Sequence, residues 1–156
     1  MVRKGLSAIV ALVMATGLVA FTAAPASASV TTPVYEWNTA VAGTPPSFTK
    51  CTSSTYIGSG DVQAIACYVE GSDDFWVKDT KVDGYSAAAD WILAVPNGIS
   101  MEIVRRGICI NSLGGGKWGV CKKNFDEAGT LGWFAGTYDK PTDTWHHITS
   151  NVSTRA

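Results

Sequence analysis

From Val34 onward, apolar and polar side chains alternate in short runs separated by turn residues. Tyr35 and Trp37 stand two apart and predict a first strand over Val34 to Asn38. Gly43-Thr44-Pro45-Pro46 reads as a loop. Phe48 to Tyr56 and Asp61 to Glu70 read as two strands folded about Gly58-Ser59-Gly60. In the second of these, Val62, Ala64, Ala66 and Tyr68 share one face, and Gln63, Ile65, Cys67 and Val69 share the other. Apolar residues on both faces predict an inner strand. Phe75 to Thr80 and Tyr85 to Val95 flank Asp83-Gly84, a pair suited to the positive φ angles of a type I′ hairpin turn. That register sets Trp76 opposite Trp91. The alanines within Ser86 to Asp90 favour helix, but the preceding turn favours strand.

After a turn at Pro96-Asn97-Gly98, Ile99 to Arg106 alternates again. Ile99, Met101 and Ile103 take one face, and Ser100, Glu102 and Arg106 the other. Leu131 to Tyr138 reads as a strand whose Gly132 and Gly136 mark bulges or close backbone approach. Thr144 to Ser150 reads as the last strand. Short strands at this spacing predict an all-β fold, a single-domain antiparallel β-sandwich, with a small closed β-barrel as the alternative.

The cysteines sharpen this picture. Cys109 and Cys121 lie at equal distances from Gly115, the middle of three glycines. Cys51 and Cys67 lie at equal distances from Ser59. Folding each stretch about its centre predicts two disulfide-stapled hairpins, Cys51–Cys67 and Cys109–Cys121. Each bridge closes a short loop and contributes about 3 kcal/mol on the chain-entropy estimate. A zinc site would need four converging thiolates, and the chain has no C-x2-C pair to begin one.

The chain opens with Arg3 and Lys4, an apolar run from Leu6 to Phe21, and Ala26-Ser27-Ala28. These three parts predict a signal peptide over 1–28 and a secreted domain over 29–156. Removing 28 of the 156 residues leaves 128, enough for one real core. The leader takes two basic residues with it, so the mature domain carries 10 basic against 13 acidic side chains, a net charge of −3. Few, scattered basic residues argue against a nucleic-acid partner and against electrostatic attachment to an anionic membrane. A monomer without a cofactor is the expected form.

Catalytic signatures are missing from the sequence. With every cysteine paired there is no thiolate nucleophile, and neither a G-x-S-x-G elbow nor H-E-x-x-H occurs. His146 and His147 are sequence neighbours, which a strand would point to opposite faces. Asp73, Asp74, Asp79 and Asp83 suggest calcium, but Lys78 and Lys81 interrupt them and turns use aspartate in the same way. No metal site is expected. The six tryptophans are the notable resource. If Phe75 and Val77 face the core, Trp76 and Lys78 face outward, and the hairpin register brings Trp91 beside them. Trp76, Trp91 and Lys78 are therefore the candidate ligand platform, because exposed aromatics stack on sugar rings or anchor protein partners.

The run from Asp74 to Ala87, with Trp91 after it, resembles small secreted two-disulfide proteins of actinobacteria. Arg105, Gly107, Cys109, Asn111 and Cys121 continue the likeness, as do Glu127 and the strand from Leu131. The resemblance implies secretion and a β fold. That group has no assigned activity, so it implies no site residue. The expected function is a secreted non-enzymatic binding or structural module, directed at an extracellular glycan or an envelope protein. The alternative is a secreted inhibitor of a hydrolase presenting a loop such as Leu113 to Lys117, and the third reading is a small secreted hydrolase.

Overall fold

A computed structural model of the chain describes residues 32–48 and 50–156. The leader expected over 1–28 lies outside the described residues. Among those described there are eleven strands and no helix. In chain order they are β1 (Val34–Thr39), β2 (Val41–Ala42), β3 (Lys50–Thr55), β4 (Val62–Val69), β5 (Asp74–Asp79), β6 (Ser86–Pro96), β7 (Met101–Asn111), β8 (Trp118–Lys122), β9 (Thr130–Asp139), β10 (Thr144–His146) and β11 (Val152–Arg155). They form two sheets packed as a sandwich. The first sheet runs β1-β7-β6-β9-β10, with β11 also on β9, and the second runs β2-β8-β5-β4-β3. Every pairing is antiparallel except that of β1 with β7.

The core is aromatic. Tyr68, Phe75, Trp91 and Trp133 are fully or almost fully buried between the sheets. Phe75 stacks on Trp91 at 6.2 Å and meets Trp133 edge-on at 5.9 Å. Phe125 closes this cluster, with its ring 5.1 Å from that of Trp91. Small residues (Ala64, Ala66, Ala87, Ala89 and Ala135) fill the space between the rings. Alternating large and small side chains lets facing layers interdigitate at interior density. β6 is a strand throughout despite its alanines. Its pairing with both β7 and β9 outweighs their helix preference.

Both disulfides join the cysteines expected. Cys51 and Cys67 face each other across β3 and β4. The second bridge differs in kind. β7 belongs to the first sheet and β8 to the second, so Cys109–Cys121 is a tie between sheets with Cα atoms 5.9 Å apart, not a hairpin staple. Asn111 adds a second tie. Its buried amide donates from β7 to the Val77 carbonyl at 2.7 Å and to the Lys117 carbonyl at 2.9 Å.

One end of the core is closed by charge. Glu36 accepts from Arg105 Nε at 2.8 Å and from Lys123 Nζ at 2.8 Å. The Lys123 side chain is 2% exposed, and its Nζ lies 4.6 Å from the centre of the Trp91 ring. Burial alone would raise the Glu36 carboxyl, but hydrogen bonds from Lys123 and Arg105 outweigh it and hold the pKa below the ordinary 4.5. Burial pulls the Lys123 ammonium down, and Glu36 opposes that. β1 comes this close only because Gly107 has no side chain, since a Cβ there would sit 2.3 Å from the Glu36 carbonyl oxygen.

The hairpin expected at Asp83-Gly84 is corrected. The turn chemistry is present, with Gly84 at φ +89° and Asp83 Oδ1 accepting from the Tyr85 amide at 3.0 Å. But β5 pairs with β4 and β8, and β6 pairs with β7 and β9. The turn lies in a connection between sheets, so Trp76 and Trp91 are not cross-strand partners. Ile99, Met101 and Ile103 share a hairpin end that extends past the last β9 partner of β6, at Ala94, and they are exposed.

Truncating either tryptophan should behave as a core deletion. Trp91→Ala and Trp76→Ala should each cost about 3–5 kcal/mol in denaturant melts, and a loss below about 1 kcal/mol in either would contradict the burial described. Glu36→Gln should cost about 3 kcal/mol at pH 7 by leaving Lys123 buried without its anion. Because the folded Glu36 pKa is depressed, its stabilisation is present above about pH 4.5 and lost as pH falls through the folded value. The gap between wild type and variant should therefore narrow on acidification, and a gap independent of pH would exclude this origin.

Candidate functional site

The three residues expected to form a platform are separated. Trp91 is 0% exposed and points between the sheets. Trp76 does lie on the outer side of β5, opposite to Phe75 and Val77, but is only 7% exposed. The segment after β2 crosses it closely. A Cβ on Gly43 would fall 2.9 Å from the Trp76 ring. Phe48, on the same segment, lies 4.9 Å from Trp118, and Lys78 sits over the Trp118 ring at 5.8 Å. Trp76 and Lys78 thus belong to a covered sheet face, and no open pair of tryptophans exists there.

An aromatic surface is present elsewhere, on the outer face of the first sheet. Cross-strand registers set its rows. Trp37, Ile108, Asp90 and Phe134 align across β1, β7, β6 and β9. Tyr35, Arg106, Ile92 and Gly132 form the neighbouring row on one side, and Thr39, Ile110, Ala88 and Gly136 the row on the other. The floor is a small second cluster of Ala88, Ile108, Ile110 and Tyr138, with Trp145 packed against it.

The rings form a continuous arc around this floor. Tyr35 lies 6.4 Å from Trp37, Trp37 lies 5.5 Å from Tyr138, Tyr138 lies 5.3 Å from Trp145, and Trp145 lies 5.2 Å from Phe134. Trp145 can lie flat on β9 because Gly136 is beneath it, where a Cβ would come within 3.0 Å of the indole. The buried Tyr138 hydroxyl donates to Asp143 Oδ1, which fixes the far side of the arc. Burial, and next this bond, push the Tyr138 phenol up to about 12. Tyr35 and Trp37 remain 43% and 46% exposed. The ends of the arc leave an opening at Arg106, Ile92 and Gly132, where Arg106 is held over the Tyr35 ring at 5.1 Å.

Asp90 stands within the arc. It is half-buried, and among the described residues it has neither a hydrogen-bond nor a salt-bridge partner. Burial pushes its carboxyl up to about 6 from the ordinary 3.8, while the Arg106 charge pulls it down. The same carboxylate helps hold the Tyr35 phenol above its usual value, after burial. A hollow of about 150 Å³ opens beside it, bounded in part by Asp90, Ile92, Gly132, Phe134 and Asn151. This is smaller than the roughly 300–1,000 Å³ of enclosed small-molecule sites, so the arrangement is a shallow platform. A larger hollow of about 400 Å³ beside β1, β2 and β8 includes Asn38, Val41, Val120 and Lys122 and presents no carboxylate.

Chemically, this face offers flat apolar surfaces and one hydrogen-bond acceptor whose pKa is perturbed by desolvation, a combination that marks functional sites more often than chance. Among the described residues it presents no nucleophile with an adjacent base. Among the described residues no group of three or more His, Cys, Asp or Glu side chains could hold a metal. Three of the four aspartates considered for calcium serve the chain itself. Asp73 accepts from the Tyr68 hydroxyl and the Phe125 amide, Asp79 from the Lys81 amide, and Asp83 from the Tyr85 amide. His146 and His147 pack on Tyr85 and Tyr56, with their own rings 6.3 Å apart. The Leu113 to Lys117 loop is tied down. The Gly116 amide donates to the Asp79 carbonyl at 2.7 Å, and Gly115 seats against the Lys81 carbonyl.

Asp90 should destabilise the fold at neutral pH. The unfolded chain releases this proton near pH 3.8, whereas the folded chain keeps it to about 6. Between those values the folded state binds more protons, so stability falls as pH rises and levels off above about 6. Asp90→Asn should therefore be more stable than wild type by about 1–2 kcal/mol at pH 7, allowing for solvent screening, and equal to it near pH 3.5. A gain that does not vary with pH in paired thermal melts would contradict this. Compared with known proteins, the chain matches no family model, no curated protein and no solved structure.

Proposed function

We propose that the protein is a secreted, non-enzymatic binding module that takes an extracellular glycan on the outer face of its first sheet. The observation that carries this reading is the arc of rings around an accessible, unpartnered carboxylate. Sugar rings have apolar C–H faces that stack on flat aromatics and hydroxyl rims that donate to carboxylates. Tyr35 and Trp37 supply open stacking surfaces, Phe134 and Trp145 the opposite flank, and Asp90 the acceptor. The two disulfides suit an oxidising, extracellular compartment. No described helix is long and apolar enough to cross a membrane.

The inhibitor reading is less well supported, because the Leu113 to Lys117 loop is bound against the Lys81–Val82 segment rather than projecting freely. The hydrolase reading would assign Asp90 as a general acid and would need a second free carboxylate, yet Asp143 is engaged by Tyr138.

Retention on insoluble chitin, cellulose and peptidoglycan tests the proposal. Purified protein should be retained by at least one of them, and Trp37→Ala should weaken retention at least tenfold. Trp37 is half-exposed, so this variant should lose about 1–2 kcal/mol of stability at most and stay folded. Retention by none of the polymers, or equal retention of the folded variant, would reject the assignment. Capture of a hydrolase from culture supernatant by protein that no polymer retains would move it to the inhibitor class.

A further inference from the structure

We infer that the glycan recognised on this face carries a free amino group, so that the ligand is a polymer or oligomer of unacetylated hexosamine with its ammonium set against Asp90. The inference rests on the glycan reading and narrows it to a substrate class.

Three features of the face converge on a cation. The first is a half-buried carboxylate that no cation touches, with the Arg106 charge acting on it only from a distance. Asp90 is the sole acid in the rows that make up the floor, whose neighbouring side chains are Ile108 on β7, Phe134 on β9 and Ala88 and Ile92 on β6 itself. None of these can donate a hydrogen bond. Arg106 is the nearest basic residue by register, but it stands one row away, lies over Tyr35, and forms no salt bridge with Asp90 among the described residues. Burial already keeps the Asp90 carboxyl well above its ordinary value, as expected of an anion short of partners.

The second feature is the surrounding rings. Aromatic faces carry negative electrostatic potential and attract a cation brought near them, more strongly when water is displaced. Trp37 and Phe134 occupy the same cross-strand row as Asp90, and Tyr35 flanks that row. A cation at the carboxylate thus has the Phe134 ring on the adjacent strand and the Tyr35 and Trp37 rings two strands away across Ile108 and Arg106.

The third is selection against acetylated sugar. An ammonium offers three donors and a compensating charge. An N-acetyl group offers one N–H, carries no charge to set against Asp90 and brings a carbonyl oxygen toward that anion, which disfavours the acetylated sugar. The hollow beside Gly132 gives the amino group room to reach Asp90 from the open side of the arc. Asn151, which lies over Gly132, is placed to bond a neighbouring hydroxyl.

The test compares glucosamine tetramer with N-acetylglucosamine tetramer by titration calorimetry at pH 6.5 on the mature protein. The glucosamine tetramer should bind at least tenfold more tightly, and in Asp90→Asn the ratio of the two affinities should collapse toward one. Folding of that variant is checked by its melt, and every other surface acid is retained, so non-specific attraction of a cationic oligomer would leave the ratio intact. Equal binding of the two tetramers, preference for the acetylated one, or a ratio that survives Asp90→Asn would overturn the inference. If neither tetramer binds while Trp37-dependent retention on a polysaccharide persists, the amine assignment fails and the glycan reading stands. If no polysaccharide is retained either, both fail.

Discussion

Alternation along β6 is the constraint on which both the core and the site depend. Side chains on a strand point to opposite faces, so residues next to each other must part. Trp91 goes inward, where it stacks on Phe75 and meets Phe125, and Asp90 must then go outward. Ala89 and Leu93 follow Trp91 into the core, while Ala88 joins the cluster on the outer face. A slip of one residue would place a carboxylate between the sheets and an indole among the outer rings. Burial of Trp91, worth several kcal/mol, is what prevents that slip. The desolvated carboxylate is therefore held in place by a fully buried tryptophan.

Closure of the sandwich has three contributions with distinct physics. Cys109–Cys121 restricts the unfolded chain and joins the sheets covalently. Asn111 satisfies its amide across the same gap, which fixes the spacing between β7 and β5. The Arg105–Glu36–Lys123 group covers the Trp91 end with hydrogen-bonded charges rather than with apolar side chains. Buried ion groups contribute little net stability but are costly to break, so this one specifies where β1 lies more than it strengthens the fold. That placement has a functional consequence, since β1 carries Tyr35 and Trp37 to the outer face.

Much of this was legible in the chain. Strand existence, the two disulfide pairs and the inward direction of Phe75 and Val77 followed from period-two patterning and cysteine spacing. Partner identity did not. The Asp83-Gly84 and Gly114-Gly116 turns have the positive φ angles their glycines suggest, yet each lies in a connection between sheets rather than joining hairpin strands. Turn chemistry is local, whereas the choice of neighbour for β5 depends on β4 and β8 competing for both of its edges. The aromatic arc was missed for the same reason. Its rings come from β1, β9 and β10, and no window of sequence contains them all. A partial signal existed in Phe134, Gly136 and Tyr138 at period two, since a glycine between same-face aromatics marks a place where another ring can lie on the backbone.

The arc is also built to be rigid, and that bears on what it can bind. Tyr138 is buried and bonded to Asp143, Trp145 rests on Gly136, and the floor beneath is a packed cluster of its own. Rings held this way would lose little further entropy on the binding we propose, which favours affinity even on a shallow surface. Asp90 works in the opposite sense, because its burial costs the free protein stability at neutral pH. A ligand that supplies the missing donors or charge recovers that cost only in the bound state. In the binding mode we propose, rigid rings provide the contact area and the desolvated carboxylate the discrimination, and the two are neighbours because Trp91 packs inside.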